Sequence, residues 1–98
     1  MDNTTIVKNY NLYRVTLTLA STEYSQALSE RIVRITISAD DLTSQILFSF
    51  TFGSSGTGKR IFQGAEWVSP GFIVGGQTIY MQSPNAGAVA IIEEWQGS

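Results

Sequence analysis

The chain has 98 residues, enough for one domain, with a net charge of −2 and only 14% charged residues. It contains neither cysteine nor histidine, which excludes disulfide staples, thiolate metal sites and the commonest general base. Six Lys and Arg residues make no basic patch for phosphates, and no apolar run reaches about 18 residues, so neither nucleic acid nor a membrane is expected as a partner.

Residues 1–9 are polar apart from Ile6 and Val7 and read as an N-terminal arm, able to order on a neighbour, ahead of a domain over 10–98. Met1 is followed by Asp2, Asn3, Thr4 and Thr5, not by a basic and apolar leader, so no export signal is expected. Residues 10–20 alternate as a strand, with Tyr13, Val15, Leu17 and Leu19 on one face and Arg14, Thr16 and Thr18 on the other. A turn at 21–23 leads to a short edge strand at 24–28. Residues 31–38 form the next strand, with Val33, Ile35 and Ile37 turned to the core and Arg34 and Thr36 turned out. Asp40 and Asp41 lie in a turn, where their side chains suit bonds to nearby backbone N–H groups.

The clearest strand follows. Ile46, Phe48, Phe50 and Phe52 alternate with Leu47, Ser49 and Thr51, which sets four large apolar side chains on one face. Each buried phenylalanine is worth roughly 1.5–3 kcal/mol, so this face requires a core.

The segment after it, Gly53-Ser54-Ser55-Gly56-Thr57-Gly58-Lys59, matches most of the phosphate-loop pattern. Three features oppose that chemistry. Arg60 stands where the magnesium-binding hydroxyl belongs. No phosphate-capping helix follows, and no later apolar strand ends in an aspartate for the metal. The segment therefore reads as a flexible loop of a hairpin between antiparallel strands.

Short strands at 59–63 and 66–68 precede a turn at Ser69-Pro70-Gly71. Residues 77–83 form a strand with Ile79 and Met81 on one face and Thr78, Tyr80 and Gln82 on the other. The last strand, 88–95, carries large apolar groups on both faces: Val89, Ile91 and Trp95 opposite Ala90 and Ile92. Cover on both sides, by the domain and by a partner, explains that pattern. Seven or eight strands with regular turn signals predict a single-domain all-β fold, an antiparallel β-sandwich of jelly-roll-like form.

Chemistry is sparse. Glu93 and Glu94 are neighbours in a strand and point to opposite faces, so they cannot act as a pair. Serine has no histidine base. No catalytic residue, cofactor or metal ligand is expected, and the chain reads as no enzyme. Ile92, Trp95, Ile6 and Val7 are the candidate interface. Tyr80, Trp67 and Tyr24 are candidate contacts for a glycan, because aromatic rings stack on the apolar faces of sugars. Few charges and no staple in a small chain also suggest self-association.

Three blocks, residues 23–28, 34–39 and 46–50, followed by 75–89 and Glu93-Glu94-Trp95, resemble successive parts of small tailed-phage virion proteins. The resemblance spans about residues 20–96. It implies a non-enzymatic all-β protein of the virion, a homotrimeric head decoration (cement) protein whose partner is the major capsid protein and which is assembled in the host cytoplasm. A glycan-binding tail or fibre module and a tail or baseplate connector are the alternatives.

Overall fold

Alternation along the chain becomes alternation across two sheets. The computed structural model describes residues 7–31, 33–40, 42–71, 73 and 75–97. Its strands are β1 (Val7–Leu17), β2 (Tyr24–Ala27), β3 (Val33–Ala39), β4 (Gln45–Ser49), β5 (Lys59–Phe62), β6 (Glu66–Val68), β7 (Thr78–Gln82) and β8 (Ala88–Gly97). One sheet has the order β1-β8-β3-β6 and the other β2-β7-β4-β5, and every pairing is antiparallel.

The pairs 1–8, 2–7, 3–6 and 4–5 describe a chain folded back on itself at the β4–β5 loop and then wrapped into two layers. This is the eight-stranded jelly roll, and it bears out the sandwich expected from the sequence. Only β4 and β5 are consecutive neighbours within one sheet; every other connection crosses between layers.

The core lies between the sheets. Val33, Ile35 and Ile37 of β3 face Ile46 and Phe48 of β4 and Ile79 and Met81 of β7, all essentially buried. Along β8 the inward set begins Ala88, Ala90, Ile92 and ends Glu94, Gln96. β1 and β8 run to 11 and 10 residues, whereas no strand of the second sheet exceeds five. The change from apolar to polar therefore falls where the longer strands pass the end of the shorter sheet. Buried hydroxyls tie the connections: Ser83 Oγ donates to the Gln45 carbonyl at 2.8 Å, and Thr43 Oγ1 accepts the Val89 N–H at 2.9 Å.

Several expectations are corrected. The arm expected over 1–9 gives up its last residues, because β1 begins at Val7; residues 1–6 lie outside the described residues. β1 ends at Leu17, so Leu19 falls in a turn and is exposed. β4 ends at Ser49, and the alternation that placed Phe52 in the core no longer applies: Phe52 is 79% exposed. Phe50, just past the strand, stays half-buried against Phe48 and Trp67. Leu47 and Thr36, on outward faces, are nonetheless buried. The glycine loop folds back over β4 and β7, where Leu47 lies beside Gln82. Thr36 lies between β8 and β6 and donates to Glu93 at 3.1 Å.

Ile92, expected in a subunit interface, has no exposed surface and belongs to the core. Its parity with Ala90 on β8 turns it inward. The Ile92→Ala variant should therefore lose about 2–5 kcal/mol of stability in urea denaturation. A loss below about 1 kcal/mol would put Ile92 outside the core.

Candidate functional site

Two surfaces and one clamp draw the polar and aromatic side chains together. The first surface is the outer face of the β1-β8-β3-β6 sheet. Register brings Tyr10 opposite Trp95, Leu12 opposite Glu93, and Arg14 opposite Ile91; on the other side of β8, Arg34 lies opposite Trp95 and Thr36 opposite Glu93. Tyr10 and Leu12 are each 48% exposed, and their rows join half-buried Trp95, Ile91 and Val89. The Tyr10 and Trp95 rings lie 5.4 Å apart. Glu93 sits among them as an acceptor, taking the Tyr10 hydroxyl at 2.6 Å and the Thr36 hydroxyl at 3.1 Å. The hydrogen bond to Glu93, then desolvation and the carboxylate charge, raise the Tyr10 phenol above its usual 10.0. Arg14 pairs with Asp40 at 3.2 Å on the same sheet.

Glu94, one residue on, points the other way and is fully buried. It accepts the Ser29 backbone N–H at 2.7 Å, the Asn11 amide at 2.8 Å, and the Tyr13 hydroxyl and Gln96 amide at 3.3 Å each. A buried carboxylate costs heavily unless hydrogen-bonded, and this one is bonded on both oxygens. Burial first, then the Glu94 charge and hydrogen bond, raise the Tyr13 pKa. Glu94 thus fastens the β2–β3 connection to the long strands, while Glu93 belongs to the surface.

The second surface is a groove of about 360 Å³ lined by Glu23, Tyr24, Ser25, Phe52 and Tyr80. Phe52 and Tyr80 meet edge to face at 5.5 Å. Of the three expected glycan contacts, Tyr80 and Tyr24 border this groove. Tyr24 is partly committed elsewhere: its ring packs on the core and its hydroxyl accepts the Leu19 N–H at 3.0 Å. Trp67 is not with them. It lies 5.1 Å from Phe48 and 6.2 Å from Phe50, beside a separate cleft that Lys59 also lines.

The candidate interface residues divide as well. Trp95 lies on the outer face, Ile92 is in the core, Ile6 is outside the described residues, and Val7 is placed by its backbone pairing with Gly97. Tyr10, Leu12, Ile91 and Phe52 are absent from the candidate site residues expected from the sequence, although Ile91 is read there on an apolar face of the last strand. The first three carry a signal there, since their parity sets them with Trp95 once β1 pairs with β8. Phe52 carries none.

The clamp holds the glycine loop. A 3-10 turn, Ser55–Thr57, shapes the loop. The Glu23 carboxylate accepts the N–H groups of Gly53 at 2.9 Å and Ser55 at 3.1 Å, and also the Ser55 hydroxyl. Gln82 Nε2 donates to Ser55 Oγ at 3.0 Å. Gly53 has a φ of +80, and a methyl on Gly58 would come within 1.9 Å of the Phe48 carbonyl oxygen. The loop that resembles a phosphate cradle does present amides to an anion, and that anion is the chain's own Glu23. Among the described residues no group of three or more acidic side chains stands where a metal could bind.

The Ser55 hydroxyl bond is the largest effect on Glu23 and lowers its pKa, with the two backbone N–H groups adding to it against partial desolvation. A lowered folded value means that the clamp stabilises the fold above the ordinary 4.5 and loses that contribution as pH falls through the folded value. Hydrogen-exchange protection at Gly53 and Ser55 should therefore fall on acidification below 4.5, before the core strands lose theirs. In Glu23→Gln the protection should be low already at neutral pH. Protection that tracks the core at every pH would show that Glu23 does not hold the loop.

Comparison with protein-family models, with curated proteins and with solved structures finds no match for this chain.

Proposed function

We propose that this chain is a non-enzymatic structural protein of a bacteriophage particle, a decoration protein that binds the assembled head and braces neighbouring copies of the major capsid protein. The observation that carries this reading is the outer face of the β1-β8-β3-β6 sheet. Tyr10, Leu12, Ile91 and Trp95 group around one hydrogen-bonded carboxylate, with Arg14 and Arg34 exposed at neighbouring register positions, on strands fixed by the core behind them. A face turned to water alone is ordinarily polar, and aromatic rings with a few oriented polar groups are the usual centre of a protein interface. Bracing a shell requires shape, apolar area and a rigid backing, and no bond-making chemistry. The choice of a phage particle rests on the sequence resemblance to small virion proteins alone. The fold adds an analogy, since eight-stranded jelly rolls recur among viral capsid domains.

A second reading rests on Phe52. An exposed phenylalanine paired with Tyr80 beside Glu23 and Ser25 offers a ring face and oxygen acceptors, the elements of a glycan subsite. Jelly rolls also serve as lectins. On that reading the chain is a tail or fibre module, and Phe52→Ala with Tyr80→Ala removes binding on a glycan array.

The test is made on particles. Virions lacking the protein should lose infectivity faster on heating or osmotic shock, and added purified protein should restore it. The Ile91→Lys, Trp95→Ala double variant, folded by circular dichroism, should rebind roughly thirty-fold more weakly or worse, as for the loss of an interface hot spot of about 2 kcal/mol. Particles of unchanged resistance, or rebinding that ignores the double variant, would overturn the proposal.

A further inference from the structure

The edges of the two sheets are unequal. β2 and β5 have four residues each, β5 begins with Lys59 and Arg60, and β6 has three residues with Pro70 close behind. Short length, charge and proline are the ordinary means by which an edge is kept from pairing. β1 has few of them. It runs for 11 residues with no proline or glycine, and among the described residues β8 is its one neighbour. Its single irregularity, between Val7 and Asn9, lies at one end. Its inward residues from 11 onward are Asn11, Tyr13, Val15 and Leu17, with no charge to resist pairing.

We infer that β1 pairs antiparallel with β1 of a second copy, joining two four-stranded sheets into one of eight. The partner is argued from the strand itself. A two-fold axis must set outward residues opposite outward residues, and the register that uses the whole strand Val7–Leu17 is centred on its midpoint, Leu12. That register buries the half-exposed Leu12 against its own copy. It also places Arg14 opposite Tyr10 of the second copy, a cation beside a phenol ring whose hydroxyl is bonded to Glu93. Arg14 keeps 53% of its side chain exposed while paired with Asp40, so it has surface left for this contact. Centring on Arg14 instead would set two guanidinium groups side by side and shorten the ladder. The pairing is two-fold, in place of the trimer that the resemblance implies, and it merges two outer faces into one. It does not depend on the phage reading.

The absence of cysteine makes the test clean. In the Leu12→Cys variant the two thiols would face one another across an antiparallel pair, with Cα atoms about 4.5–5.5 Å apart, within disulfide reach. In Thr16→Cys they would lie about 27 Å apart. Mild oxidation should cross-link the first variant nearly completely and the second not at all. The unmodified chain should sediment at twice 10.7 kDa. Leu12→Lys, folded by circular dichroism, should shift to the monomer, since it opposes two ammonium groups. A monomeric or trimeric unmodified chain, equal cross-linking of both cysteine variants, or a dimer indifferent to Leu12→Lys would each overturn the inference.

Discussion

The fold depends on one reversal, the β4–β5 hairpin. Every strand before it pairs with the strand at the mirrored position after it, so the glycine loop is the point about which the whole chain is folded in half. Its geometry cannot be left loose. If β4 and β5 slipped by one residue, Ile46 would turn outward and the alternation that buries both layers would fail. The Glu23 carboxylate and the Ser55–Gln82 bond fix the loop from outside the hairpin, reaching back from the β1–β2 connection and across from β7. An anion at two backbone N–H groups is the same physics as a phosphate loop, used here to lock topology.

β8 shows how one strand serves two environments. It is the central strand between β1 and β3, so both of its edges are paired and both of its faces must be accounted for. Inward it runs from alanine and isoleucine into Glu94 and Gln96 as the second sheet ends. Outward it carries Val89, Ile91, Glu93 and Trp95. The two adjacent glutamates illustrate the division. Glu94 is tied by the Ser29 N–H and side-chain amides, and its task is to close the end of the sandwich. Glu93 is tied by hydroxyls from the strands on either side, which fixes an acceptor on a face otherwise rich in apolar groups.

Period-two patterning made most of the fold legible. Val33, Ile35 and Ile37, Ile79 and Met81, and the reversal of side at Glu93 and Glu94 all follow from alternation alone, because a pleated strand leaves no other choice. What was not legible depends on where strands end and on which distant strands pair. Phe52 continues the alternation of β4 by three residues after the strand has stopped, so the same pattern that placed Phe48 correctly misplaced Phe52. Leu47 faces away from the core yet is buried, beside Gln82, whose side chain bonds the glycine loop, and no local pattern announces that neighbourhood. The outer patch required the β1–β8 pairing, which joins residues 71 to 90 positions apart, before Tyr10 could be set beside Trp95. The doubly apolar character of β8 did point to it: of the two candidate interface residues on that strand, Trp95 lies on the outer face and Ile92 on the opposite parity.

The inequality of the two sheets connects architecture to use. A 98-residue chain buries only about 60–65% of its unfolded surface, so a jelly roll of this size has little apolar area to spare for strands longer than its core needs. The second sheet keeps to four or five residues per strand, about what the core requires. β1 and β8 are twice that length, and their extra residues do not enlarge the apolar core; they add polar inward groups, an apolar outward face and a long edge. Extra ordered backbone carries an entropic cost of roughly 1–2 kcal/mol per residue. Within the monomer, hydrogen bonds between the two strands and the Glu94 network offset part of it. The outward face and the β1 edge, on which the proposed capsid contact and the proposed β1–β1 pairing rest, belong to the same sheet.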